Sequence, residues 1–296
     1  MIVYELAAFG AAVCWAFAGL LSAKPARHFG AMRFNNLKLT FVTLVLLADV
    51  VFTGSWRQLT LENASPLLLS GLIGIFAGDT ILYNVVIRLG PRRTGILFAM
   101  NAPMSAILGW ALLGETLAPV TVIGMGLVTA GVVLAILYGK RPNQNHPWEA
   151  VQGPLMVAIG LGLLAALAQA AGSILARPIM KAGMDPVLGS LLRVGISAAC
   201  LSVAGQLPIA ARVRAKLTWQ SVTMTACSGL LSMAVGMTLL LFALSGGDVG
   251  IVSTISATTP VLVLPMIWAL TRERPAWGAW AGAVTVVVGM AVIFVT

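Results

Sequence analysis

Apolar residues fall into ten runs of about 20, the length that crosses the hydrocarbon core of a bilayer, separated by short polar breaks. The runs cover Val3–Ala23, Asn35–Thr53, Pro66–Ile87, Thr94–Leu113, Pro119–Tyr138, Leu155–Ala176, Pro186–Gln206, Ser221–Ser245, Val249–Thr271 and Trp277–Val295. They predict an all-α integral membrane protein of ten transmembrane helices. The first run lacks a basic leader and carries Glu5 near its start, so it reads as a permanent helix rather than a cleavable signal. The longest break, Gly139–Pro154, is rich in Pro, Asn and charge. It divides the chain into a first five-helix unit, 1–138, a linker, 139–154, and a second unit, 155–296.

The two units repeat each other. Trp110-Ala-Leu-Leu-Gly-Glu115 recurs as Trp268-Ala-Leu-Thr-Arg-Glu273, 158 positions on, and Gly124 and Gly131 meet Gly282 and Gly289 at the same offset. Ser70-Gly-Leu72 meets Ser228-Gly-Leu230, and Gly78-x-Thr80 meets Gly236-x-Thr238. Lys24-Pro25 and Arg177-Pro178 match at 153, so only loop lengths differ. With five helices per unit, the second copy enters the membrane from the opposite side. The expected architecture is an inverted repeat, which secondary transporters use for alternating access around a midplane site.

Composition narrows the class. The hydrophobic set makes up 59% of the 296 residues and charged residues only 9%, far below the ~25% of a soluble domain. The net charge of +9 reads as topology marking rather than a nucleic-acid surface. Of the 18 cations, thirteen follow odd-numbered runs: Lys24, Arg27, Arg33, Arg88, Arg92, Arg93, Lys140, Arg141, Arg212, Arg214, Lys216, Arg272 and Arg274. Arg57, Arg177 and Lys181 follow even-numbered ones, and Lys38 and Arg193 fall inside runs. By the positive-inside rule both termini are expected on the non-cytoplasmic side of the cell inner membrane.

The repeated motifs carry a resemblance. A Pro in the fourth helix of each repeat, a Gly-Glu at its end and two spaced Gly in the fifth are Pro103, Gly114-Glu115, Gly124 and Gly131 in the first half. The second half has Pro260, Glu273, Gly282 and Gly289, with Arg272 in place of the Gly. In this the chain resembles the drug/metabolite transporter superfamily, specifically its ten-helix EamA-type exporters, and among them it looks most like the bacterial amino-acid exporter branch. The resemblance implies a central path enclosed by helices 1, 3, 4, 6, 8 and 9, with 5 and 10 at the rear. It also implies export of amino acids, other metabolites or toxic cations. Smaller members carry an essential acid in helix 1. Here only Glu5 lies there, near its edge, so gradient-driven export is expected rather than proton antiport.

Glu115 and Glu273, where the fourth helices end and the fifth begin, can accept N–H bonds at a helix N-terminus; proton coupling is the other reading. Charge within a membrane is a functional hypothesis by default. Asp79 is the one acid deep in a run, with Phe76 and Tyr83 on its face at i−3 and i+4. It could meet a substrate ammonium beside ring faces, or serve packing by pairing with Lys38, Arg193 or backbone. Its repeat partner is Met237, so the architecture does not require an acid there. Trp15 and Gln169 begin stripes of small residues, Ala18, Gly19 and Ser22 in one case and Gly172, Ser173 and Ala176 in the other. These stripes suit close helix contact. Trp15, Gln169 and Asn101 join Asp79 and Tyr83 as candidate substrate contacts, while Ser253, Ser256, Thr258 and Thr259 are weaker ones.

Pro103 and Pro260, which remove backbone donors in matching helices, are candidate hinges, and Gly90 of the Gly90-Pro91 turn is a third. Gly74–Gly78 and Gly278–Gly282 read as helix contacts, the latter also able to support a dimer; a monomer is the primary expectation. Gly160-x-Gly-x-x-Ala165 matches a dinucleotide fingerprint without its strand and is set aside. With no Walker A loop, three scattered Cys and two loop His, no cofactor, metal site or catalytic group is expected. The resulting expectation is a secondary exporter of small metabolites, amino acids first. Its alternatives are an exporter of organic cations or drugs, a channel, or a membrane enzyme acting on lipid-like substrates.

Overall fold

The computed structural model describes residues 2–138, 153–206, 216–271 and 276–295, and these residues contain helices and connections but no strand. The first half comprises α1 (Ile2–Phe29), α2 (Ala31–Thr53), α3 (Leu61–Gly71), α4 (Gly78–Ala99), α5 (Asn101–Leu113) and α6 (Pro119–Tyr138). The second comprises α7 (Leu155–Lys181), α8 (Pro186–Ala204), α9 (Trp219–Gly229), α10 (Met237–Gly246), α11 (Val249–Ser256), α12 (Thr259–Thr271) and α13 (Trp277–Val295). Nine stretches among the described residues are long and apolar enough to span a membrane. The tenth expected span, Val249–Thr271, is divided into α11 and α12.

Local signals repeat between the halves. The Thr60 hydroxyl accepts from the Asn63 N–H at 3.4 Å while the Thr60 N–H donates to the Asn63 side chain at 3.0 Å. This reciprocal cap opens α3. Thr218, 158 residues on, accepts from the Ser221 N–H at 3.3 Å and opens α9. Asp185 accepts from Val187 and Leu188 at 2.9 Å ahead of Pro186, a strong start for α8. Each third helix also contains a π-helical stretch, Leu72–Ala77 between α3 and α4 and Leu230–Gly236 between α9 and α10. Both begin 158 residues apart. Such widened turns recur at functional sites because they release a carbonyl from the ladder.

The halves interlock through these third helices. Ser70 donates to the Gly172 carbonyl at 2.6 Å, and Ser228 donates to the Ala18 carbonyl at 3.2 Å, so α7 lies on α3 as α1 lies on α9. Arg193 of α8 abuts Gly71, and Lys38 of α2 abuts Gly229, again 158 apart. At the rear, α6 and α13 meet backbone to backbone. A Cβ on Gly131 would lie 2.8 Å from the Gly282 carbonyl, and one on Gly289 would lie 2.8 Å from the Gly124 carbonyl. Gly278 and Gly282, considered above for a dimer, are filled by Tyr138 and Ala135 of the same chain.

Two expected boundaries move. Helical backbone continues through Gly90-Pro91 to Ala99, and the fourth helix breaks at Met100 instead; the fixed φ of Pro suits a helical turn. The ninth breaks at Ala257-Thr258. Pro103 and Pro260 therefore sit in the first turns after the breaks, where a missing N–H leaves no ladder bond unmade. Gly114, at φ 67°, ends α5 in the left-handed conformation that glycine adopts without strain. Its counterpart Arg272 and the glutamate after it, Glu273, lie outside the described residues.

Candidate functional site

The breaks at Met100 and Ala257-Thr258 face one another across a cavity of about 220 Å³. Its wall takes Gly95, Phe98 and Ala99 from the end of α4, Asn101 from α5, Trp15 from α1 and Gln169 from α7, with Ser256, Ala257, Thr259 and Pro260 opposite. Broken helices leave backbone polar groups without ladder partners, and within a membrane these are tolerated only in a protein-lined space. Side chains meet part of that demand. Asn101 donates to the Phe98 carbonyl at 2.6 Å, closing the end of α4. Thr258 donates to the Ile255 carbonyl at 2.7 Å, and Thr259 donates to the Ser256 carbonyl at 3.0 Å.

Trp15 donates its indole N–H to the Ser232 carbonyl at 2.9 Å, a group in the π-helical stretch of the second half. One end of the ring is thereby fixed and the rest is offered to the cavity. Gln169 holds the corresponding place in α7, because each residue lies three positions before the carbonyl that accepts from Ser228 or Ser70. The cavity thus has an indole on one side and an amide on the other.

Three of the five residues expected to contact substrate, Trp15, Asn101 and Gln169, share this wall. Asp79 does not line it. It sits part-buried in the first turn of α4, and the charges acting on it are those of Lys38 and Arg193. Tyr83 belongs to α4, but its side chain lies outside the described residues. Pro260 lines the cavity and Pro103 does not; the surroundings of Gly90 lie outside the described residues. Gly95 and Phe98 were not anticipated, although they lie on one face at i and i+3, leading up to Asn101.

A second polar cluster was also missed. Arg177, counted above among loop cations, is 5% exposed. Its Nε donates to Glu115 Oε1 at 3.2 Å, its Nη1 to the carbonyls of Leu244 at 2.7 Å and Ser245 at 3.3 Å, and its Nη2 lies 3.8 Å from Asp248. Glu115 Oε2 accepts from the Val249 N–H at 2.9 Å. Glu115 thus caps a helix, as its position suggested, but it caps α11 of the other half and not α6. Burial pushes its carboxyl above the ordinary glutamate value, with Asp248 adding to the rise while the Val249 N–H and Arg177 oppose it.

Long apolar helices, two of them broken around a mainly apolar cavity that carries a few polar side chains, define a polytopic membrane protein of the kind that carries solutes. The model of the EamA-like transporter family matches residues 2–137 and again 156–295. The chain belongs to that family, within the drug/metabolite transporter superfamily, and is a multi-pass membrane protein. It is similar to an uncharacterized transporter of Clostridium kluyveri, 25% identical over 45% of this chain and 43% of that one. It is also similar to rod outer segment membrane protein 1 of Bos taurus, 34% identical over 42% of this chain and 34% of that one. The matched stretches span less than half the length of either relative. A solved crystal structure superposes with a TM-score of 0.79 at 18% identity, covering 98% of this chain and 95% of that one, a likeness of fold.

Proposed function

We propose that this transporter exports small metabolites, amino acids first among them, down their gradient across the cell inner membrane. The observation that carries the reading is the cavity itself. Pockets for drug-sized ligands run to ~300–1,000 Å³; at about 220 Å³ this one suits a smaller solute. Its wall offers an indole and a phenyl face for an apolar side chain, and the Asn101 and Gln169 amides for a polar head.

The units 1–138 and 155–296, joined by 139–154, rock about this cavity in an alternating-access cycle, with Pro103 and Pro260 beside the breaks that flex. Thirteen cations beyond odd-numbered helices support termini on the non-cytoplasmic side. The unit that does this is a single chain. The test is flux of labelled amino acids in proteoliposomes, competed by unlabelled amino acids and by a quaternary amine. Saturable flux with counterflow is expected, with a Michaelis constant raised about ten-fold or more by Asn101→Ala or Gln169→Ala. Amine flux without amino-acid flux overturns the substrate; flux that never saturates overturns the carrier.

A further inference from the structure

Among the described residues two arginines are buried, and they are provided for very differently. Arg177 finds carboxylates and two carbonyls for its guanidinium, which is how a structural cation in a low-dielectric interior is held. Arg193 is fully buried, at 0% exposure, and its contact is with a thioether: Nη1 lies 3.3 Å from the Met237 sulfur. Its Nε and Nη2 have no hydrogen-bond partner. A buried donor left unmet is costly, and more so when it carries charge.

The two unmet nitrogens are adjacent and form one planar edge of the guanidinium, the edge that matches the two oxygens of a carboxylate. Nη2 lies against two glycines, Gly74 in the first π-helical stretch and Gly172 in α7, where an added Cβ would come within 3.3 and 3.4 Å of it. The charge of Asp79 reaches Arg193, but that carboxylate makes no hydrogen bond to the two unmet nitrogens. The position matching Asp79 in the second half is Met237, which brings sulfur instead of charge.

This cluster adjoins the cavity wall on both sides. Gln169 is one helical turn from Gly172. The Trp15 indole packs on Gly236, the neighbour of Met237. In the conformation described here the edge is closed over, since a Cβ on Gly172 would lie 3.1 Å from the Gly74 Cα.

We propose that Arg193 binds the carboxylate of the transported molecule, in a subsite behind the Trp15–Gln169 wall that the transport cycle uncovers. The inference rests on the carrier reading and narrows its substrates to carboxylates, against organic cations.

The test uses the purified full-length chain with sodium acetate as probe. Acetate raises the melting temperature of the wild type above that in sodium chloride of equal ionic strength, and methylammonium chloride does not. The shift falls at least about five-fold in Arg193→Met, which removes the unmet donors, and also in Arg193→Lys, which keeps the charge without the two-point edge. In proteoliposome counterflow, L-leucinamide competes about ten-fold or more worse than L-leucine, and Arg193→Met abolishes that discrimination. A wild type indifferent to acetate, or variants that keep its shift, overturns the subsite. So does leucine flux without discrimination between acid and amide, which leaves the amino-acid reading standing. An Arg193-dependent acetate shift without amino-acid flux has the reverse meaning: the subsite holds and the amino-acid reading fails.

Discussion

The two halves are joined in two unlike ways. At the rear, α6 and α13 press glycine against carbonyl at Gly131–Gly282 and Gly124–Gly289, a contact of backbone with backbone that holds no carboxylate, histidine or other charged side chain. At one end of the molecule, Glu115, Arg177 and Asp248 tie the α5–α6 connection to α7, α10 and α11 through charge. The seam depends on shape and is indifferent to ions. The ionic knot depends on the charge states of its members, so it is the junction that a change of solution conditions reaches. The alternating-access cycle proposed above needs a fulcrum and a releasable tie, and these two junctions differ in the way those two roles would require.

Removing the knot's cation has the largest expected effect. Arg177→Ala leaves Glu115 and two carbonyls buried without their donor. Breaking a buried pair from one side costs about 3–5 kcal/mol. The apparent melting temperature of the solubilised protein should drop sharply, and restoring charge with Arg177→Lys should recover only part of it, because one ammonium cannot serve carbonyls and carboxylates in three directions. A melting temperature unchanged by Arg177→Ala would mean that the knot holds nothing.

The seam comes next. Gly282→Leu drives a side chain into the Gly131 carbonyl and the Ala135 backbone, and overpacking of this kind costs about 1–3 kcal/mol or more. Gly126→Leu, on the same face-forming helix α6 but with nothing within 4 Å of its Cβ, is the matched control and should stay within about 0.5 kcal/mol of wild type. Equal losses from both substitutions would show that α6 tolerates no bulk anywhere and that the seam is not special.

How much of this was written in the sequence follows from what each feature depends on. The apolar runs, the start of α8 at Pro186 and the repeat offset are local, and local patterns carried them; the caps at Thr60 and Thr218 start α3 and α9 ahead of the expected bounds at Pro66 and Ser221. Breaks were less legible. Gly90-Pro91 looks like a turn and stays helical, whereas Met100 has no breaking signal of its own. Its break is stabilised by Asn101 folding back on the Phe98 carbonyl and by the cavity beyond. Arg177 was misplaced for a related reason. Beside Pro178 it reads as a loop cation, and it is buried only because residues 115, 244, 245 and 248, distant along the chain, converge on it. That Trp15 and Gln169 line the cavity fits a large or polar-tipped side chain on a stripe of small residues, which has few ways to be satisfied except at a cavity; Asn101 reaches it from beside the break at Met100 instead.

The finest separation of seam from knot is by pH. Because burial holds the folded-state value of Glu115 above its ordinary 4.5, the folded protein binds that proton more tightly than the unfolded chain does. The stability this contributes is fully present below the ordinary value and is lost as pH rises through the raised one. Other carboxyls titrate nearby, so the informative quantity is a difference. Glu115→Gln keeps an acceptor for the Val249 N–H and removes the titration. The melting temperature of the wild type minus that of Glu115→Gln should therefore be greatest near pH 4.5 and decline toward pH 8. The same difference taken between wild type and Gly282→Leu should be flat across that interval, since nothing in the seam takes up a proton. A wild-type advantage over Glu115→Gln that grows as pH rises would reverse the sign: the ion pair with Arg177 would then outweigh burial, and the knot would be tightest when fully charged.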